Sequence, residues 1–203
     1  MGAVFGLNAG WEHPLWFADA PGTEDTNGFA RQNWFEPVGR EAAMLRDAVG
    51  VIDISNFGKY EVTGTGAGDW LDALVANHVP REIGKSCLTP LIGMRGGVAG
   101  DFTVTMTGDE SYMMIGSGMA ERYHRRFFDM VPLPDGTGFD VATPRIAGFN
   151  VAGPRSREML AGLTDADLSN EGWRFMRSRR IALGGVDCLA TVSYTHLTLP
   201  TIE

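Results

Sequence analysis

The sequence predicts an α+β fold of antiparallel sheets with packed helices, and three observations carry that expectation. Strand-like runs come in neighbouring pairs joined by short turns, as at Gly108-Asp-Glu110 and Gly184-Gly185. Helical spacings fall between some of these pairs but do not alternate strictly with the strands, so a βαβ series with a parallel sheet does not fit. The chain has 203 residues, 44% of them hydrophobic and 21% charged, which is core material for about one ordinary domain.

Residues 1–37 show no sustained period and concentrate Trp11, Trp16, Phe17, Trp34 and Phe35. So many aromatics in a loop need a surface to pack on. The segment reads as an arm laid over the following domain, or as contact with an upstream one. A helix then starts at Pro37, buries Val38, Ala42, Leu45 and Val49, and stops at Gly50. Strands follow at 51–54 and 59–63, with Tyr60 and Val62 on one face of the second and Lys59, Glu61 and Thr63 on the other. Ala67, Trp70, Leu71, Leu74 and Val75 mark an amphipathic helix.

Residues 88–94 read as a buried strand, and 102–106 with 112–115 as a hairpin. Met119, Tyr123, Phe127 and Met130 recur at helical spacing, which puts His124, flanked by arginines, on the surface. A loop spans 132–138. A strand follows at 145–151, then a helix opened by Gly153-Pro154 with Met159, Leu160 and Leu163. Strands 180–183 and 186–191 close the series around Gly184-Gly185.

Charge and composition exclude several function classes. The formal net charge of -8 leaves no basic footprint for nucleic acid, although Arg122-Tyr-His-Arg-Arg126 and the arginines of 174–180 could serve an anion locally. No run reaches the ~18 apolar residues that span a bilayer, so no membrane partner is expected. Cys87 and Cys188 are isolated, which argues against a disulfide framework or a zinc site and for a reducing, cytoplasmic compartment. No signal peptide is evident. His13, His78 and His124 lack metal-ligand spacing, so no metal is expected.

Three glycine-rich runs invite functional readings. Gly64-Thr-Gly-Ala-Gly68 fails the G-x-G-x-x-G dinucleotide fingerprint, because its sixth position is Asp69. An acid there repels a pyrophosphate, so the run reads as a tight turn. In Arg95-Gly-Gly-Val-Ala-Gly-Asp101, three glycines let the backbone approach something closely, with Asp101 at the start of a strand. The bland reading is a plain turn with a solvated Asp. The functional one is a carboxylate at a cavity rim, accepting a hydrogen bond from a ring nitrogen or stabilising a developing cation. In Ile115-Gly-Ser-Gly-Met119, the backbone N–H groups could bind a carboxylate or ring edge, although a plain helix cap by Ser117 is the simpler reading.

Several ordered motifs resemble a known family. They are Glu36-Pro-Val-Gly-Arg-Glu-Ala, Val51-Ile-Asp-Ile-Ser-Asn-Phe-Gly-Lys-Tyr-Glu-Val-Thr-Gly64, the Gly-Gly-Val-Ala-Gly-Asp101-Phe-Thr-Val run and Gly153-Pro154-Arg155-Ser156. Over residues 5 to 191 they resemble the aminomethyltransferase folate-binding family, whose best-known member is the glycine cleavage T-protein. Gly10-Trp-Glu-His-Pro-Leu-Trp-Phe-Ala18 and Asn33-Trp-Phe-Glu-Pro37 add a likeness to the C-terminal half of FAD-dependent dimethylglycine or sarcosine dehydrogenases.

The resemblance implies a tetrahydrofolate cavity among antiparallel sheets, a methylated amine oxidised at FAD in an upstream domain in cis, and capture of the iminium carbon by folate. It makes Asp101 the catalytic carboxylate, near the folate N10 region. It places Phe57 against the pterin, and Gly116 and Ser117 in the turn that contacts it. Ser117 stands where the family often has Asn, and Leu88 where it has an aromatic; both depart from the usual contacts.

The last residues, Val192-Ser-Tyr-Thr-His-Leu-Thr-Leu-Pro-Thr201 and onward, resemble the translation of a sequencing adapter, so His196 is not counted as functional. The expected organisation is therefore an arm or linker at 1–37, an incomplete folate-binding domain at 38–191 and adapter-derived residues at 192–203. Two other functions stay open: a stand-alone aminomethyl- or methyltransferase, acting on a lipoyl-carried aminomethyl group or a methylated sulfur compound, and a non-catalytic folate-binding module.

Overall fold

A computed structural model describes residues 2–8 and 10–193. Most of the adapter-like tail, with His196, lies outside the described residues. In chain order the strands and α-helices begin with β1 (Gly2–Asn8), β2 (Trp11–Ala18), α1 (Phe35–Asp47), β3 (Gly50–Asp53) and β4 (Gly58–Thr63). Next come α2 (Ala67–Leu74), β5 (Ser86–Ile92), β6 (Val98–Gly108), β7 (Ser111–Gly116) and α3 (Glu121–Phe128). The series ends with β8 (Gly138–Val141), β9 (Phe149–Ala152), α4 (Ser156–Ala161), β10 (Ser178–Leu183) and β11 (Val186–Thr191). The chain divides into two compact units. One holds the residues up to Asn56 with Gly148–Leu160, the other Phe57–Ala147 with the chain from Ala161 onward.

In the first unit the aromatic-rich start is a β1–β2 hairpin, where the sequence suggested a loop. Period-2 alternation is hidden there because Pro14 opposes Phe5 beside a register shift at Val4/Phe5. The buried pair is Val4 opposite Trp16. Helix α1 begins two residues before Pro37, and Pro37 is its buried residue; Val38 and Leu45 are half-buried and Ala42 is exposed. Strand β3 pairs with β9 and not with its sequence neighbour β4. Only long-range pairing decides such a partner. The strand expected at 145–151 is accordingly shorter and later, and a 3-10 turn occupies Thr143–Arg145.

The second unit is built on a five-stranded antiparallel sheet in the order β5-β6-β7-β4-β8. One face carries Tyr60 and Val62 of β4, Phe102, Val104 and Met106 of β6, and Tyr112 and Met114 of β7. Against them pack Ala67, Trp70, Leu71 and Leu74 of α2, the spacing the sequence predicts, together with Phe128 of α3. Each large side chain so buried contributes roughly 1.5–3 kcal/mol. Trp70 keeps its indole N–H satisfied by donating to the Val131 carbonyl at 3.0 Å.

Strand β5 is not the uniformly buried run expected: Thr89 and Leu91 face the core while Leu88 and Ile92 are exposed. Strand β8 starts at the last residue of the expected 132–138 loop and was not expected from the sequence. It lies on the β4 edge, where Phe139 and Val141 oppose Val62 and Tyr60. Gly64 and Gly66 have φ of 100° and 90°, and Asp69 pairs with Arg81 at 2.7 Å, a tight turn with a neutralised acid. The β10–β11 hairpin turns at Gly184-Gly185, both at positive φ, as a two-residue hairpin of this hand requires. No described helix is long and apolar enough to cross a membrane.

Candidate functional site

Antiparallel register decides which side chains share a face. Leu88, Thr103, Ile115 and Lys59 oppose one another in one row across β5, β6, β7 and β4. Asp101 stands two residues before Thr103, opposite Pro90, and so projects from the same face as Leu88, away from the aromatic core. Ser117 leaves β7 two residues past Ile115, and Phe57 enters β4 two residues before Lys59; both lie at the Asp101 end of the sheet. Phe57 is 39% and Leu88 52% exposed, and Asp101 and Ser117 are exposed. An apolar shelf with one carboxylate results. Among the described residues the Asp101 carboxylate makes no hydrogen bond or ion pair. Lys59, itself buried, donates from Nζ to the Phe57 carbonyl at 3.0 Å and so fixes that corner.

Gly116 does not share this face. It opposes Phe102 and Gly58 and belongs to the core side. A Cβ on it would meet the Phe102 ring at 2.6 Å, so the glycine makes room for that aromatic. Replacing Gly116 by Ala is expected to cost about 1–3 kcal/mol through overpacking. An unchanged urea midpoint would show that Phe102 has space to move. Ser117 makes no capping hydrogen bond, contrary to the simpler reading of its motif. Its φ of -63° and ψ of 122° hold it extended.

The Arg95–Asp101 glycines also divide by role. The Gly93 N–H donates to the Gly97 carbonyl at 2.8 Å, closing the turn, and Gly96 takes φ 80°. Gly100 lies inside β6, and a Cβ there would stand 2.6 Å from His124 Nε2. Asp101 is therefore within a strand and not at its start.

His124 is the residue the sequence misplaced. It is fully buried, while Met119, Tyr123 and Met130 of the expected apolar face are exposed. Residues 124 and 128 share the same four-residue spacing as 119, 123 and 127, and hydropathy alone favoured the wrong stripe. What admits an imidazole to the core is a hydrogen-bond partner: Tyr60 Oη lies 3.2 Å from Nδ1. Nε2 has no partner. The ring stands edge-on to Phe102, with centroids 4.7 Å apart. Nearby, Thr143 donates to Glu121 Oε2 at 2.5 Å and accepts from the Lys59 backbone N–H at 3.0 Å.

Burial pushes the His124 pKa below its ordinary 6.5, against the opposing pull of the Asp101 and Glu121 carboxylates. Burial and then Glu121 push the Tyr60 hydroxyl well above its ordinary range, with Arg125 opposing. Because the folded pKa of His124 is depressed, the unfolded chain binds the extra proton first. The stability it contributes is fully present above pH 6.5 and is lost as pH falls from there through its folded value. Thermal melts between pH 7.5 and 5 are expected to show that loss, and a His124→Phe chain should show less of it.

The GCVT N-terminal domain family matches residues 1–196. Dimethylglycine dehydrogenase of Mus musculus is 33% identical over 195 residues, covering 94% of this chain and 22% of that protein. An aminomethyltransferase of Thermoanaerobacter is 27% identical over 169 residues, 82% of this chain and 45% of that one. Among solved structures, the glycine cleavage system aminomethyltransferase T of Bartonella henselae superposes with a TM-score of 0.64 at 22% identity, over 87% of this chain and 43% of that one. The chain thus spans about a fifth of the dehydrogenase relative. The family match runs through both compact units and takes in every strand of the five-stranded sheet, so this chain belongs to the aminomethyltransferase family of the glycine cleavage T-protein, within its GCVT N-terminal domain.

Proposed function

We propose that this chain supplies the tetrahydrofolate part of a flavin-dependent N-methylamine dehydrogenase of the dimethylglycine or sarcosine type, with a small methylated amine as substrate. The observation that carries the reading is Asp101, an exposed carboxylate with no hydrogen-bond or ion-pair partner among the described residues, on the sheet face of Leu88 and at the end of the sheet where Phe57 and Ser117 lie. Tetrahydrofolate suits such a place: a flat heterocycle lies on apolar side chains while its N–H groups seek an acceptor. When bound, it supplies the nitrogen nucleophiles that take up a one-carbon unit. Phe57 and Leu88 offer the apolar surface and exclude water. Asp101 accepts a hydrogen bond from an attacking nitrogen, takes up its proton as the carbon is transferred, and stabilises positive charge developing at that carbon. The turn at Gly64–Asp69 does not suit a dinucleotide, so flavin chemistry is assigned to an upstream domain and no step here runs through it.

Protein-detected NMR titration of this chain with tetrahydrofolate tests the reading, since it registers weak binding too. Shifts centred on Phe57, Leu88, Asp101 and Ser117 support it. Millimolar tetrahydrofolate with no shift at Asp101 would sink it. The likeness to a stand-alone aminomethyltransferase favours a second reading, in which a carrier-borne aminomethyl group is the donor. The upstream gene sequence separates the two: a G-x-G-x-x-G flavin domain belongs only to the first.

A further inference from the structure

We propose that His124 is a positioning residue for Asp101: its neutral imidazole, oriented by Tyr60, fills the space left by Gly100 and sets where the next residue of β6 stands. The inference rests on Asp101 being the ligand carboxylate. Its observations are independent of that reading. His124 is fully buried, and its Nε2 lacks a hydrogen-bond partner among the described residues, which is costly for a polar atom in the core. That atom points at the Cα of Gly100, where any Cβ would come within 2.6 Å. The ring also bears edge-on against Phe102, so it touches the strand on both sides of Asp101. Asp101 projects from one face of β6 and His124 presses on the other.

Neutral imidazole has one donor and one acceptor, and Tyr60 occupies Nδ1. On protonation both ring nitrogens become donors, and the cation at Nε2 faces backbone carbon with no acceptor. Tyr60 of β4 contacts His124, the charges of Asp101 of β6 and Glu121 of α3 act on it, and Arg125 of α3 acts on Tyr60. The two carboxylates favour the cation, but burial outweighs them. Protonation therefore drives the ring from its place and releases the Gly100–Phe102 segment. Tetrahydrofolate held by Asp101 needs that segment fixed, and by linkage it must in turn resist His124 protonation.

The experiment is an NMR titration of the 203-residue chain with tetrahydrofolate at pH 7.5 and 5.5, following the His124 ring nitrogens and the Asp101 amide. In the wild type, affinity is expected to weaken about 5-fold or more between the two pH values beyond any change in His124→Phe. That variant keeps an aromatic ring but loses both nitrogens, and the ligand's own titration is common to both proteins. Saturating tetrahydrofolate should also lower the wild-type His124 titration midpoint, a measurement that needs no folded variant. Equal pH profiles, or a midpoint unmoved by ligand, overturn the proposal while the Asp101 shifts leave the site reading standing. Absence of any shift at Asp101 removes both.

Discussion

Replacing Asp101 by Asn is expected to lower tetrahydrofolate-dependent one-carbon transfer by about 10²–10⁴-fold, the usual worth of a positioned general base. The folded state should hardly notice. Asp101 is exposed, and among the described residues its carboxylate makes no hydrogen bond or ion pair, so the stability change belongs to the ±0.5 kcal/mol or so typical of surface positions. This combination separates a functional carboxylate from a solvated turn residue. The check is the rate of methylenetetrahydrofolate formation by the full-length protein, measured beside a urea melt. A variant that keeps its rate leaves Asp101 as an ordinary strand residue. A variant that loses rate and stability together points to a structural role instead.

Replacing Tyr60 by Ala should produce the largest loss of stability, about 3–5 kcal/mol. Tyr60 is fully buried and touches four other rings: Phe128 at 5.1 Å, Phe139 at 5.8 Å, Phe102 at 6.2 Å and His124 at 6.3 Å between centroids. Truncation opens a cavity under the centre of the sheet and strands His124 Nδ1 without its hydroxyl. Tyr60→Phe isolates the second effect. It keeps the ring and leaves one buried nitrogen unmet, for a cost of about 1–3 kcal/mol. Urea midpoints of the two variants measure both quantities. Equal midpoints would mean that the hydroxyl carries the whole contribution and the aromatic cluster repacks freely.

Much of the second unit was legible in the sequence because its signals are local. The α2 spacing, the Gly184-Gly185 turn and the β6–β7 hairpin each follow from a few neighbouring residues, and each stands where it was read. Asp101 and Leu88 came from family resemblance, and sheet register brings them to one face. The errors share a cause. The β1–β2 hairpin, the β3–β9 pairing and strand β8 depend on partners distant in sequence or on irregular strands, where period carries little information. The neighbours of Gly100 and Gly116 and the burial of His124 were not legible for a related reason. Glycine records only that a side chain is absent, not which neighbour claims the space, and a histidine near arginines gives no sign of a tyrosine hydroxyl waiting 64 positions earlier in the chain.

Sequence alone determined the fold class, the amphipathic helix beneath the sheet, the turn at Gly184-Gly185 and the family likeness that singles out Asp101. Tertiary structure alone decided that the Asp101 carboxylate shares a face with exposed Leu88 and has no hydrogen-bond or ion-pair partner among the described residues, and that Gly116 packs against Phe102. It also decided that a buried histidine lies behind the acid. Local spacing governs which elements form, but burial and hydrogen-bond satisfaction are properties of pairs, and in this chain the deciding pairs meet only across the sheet.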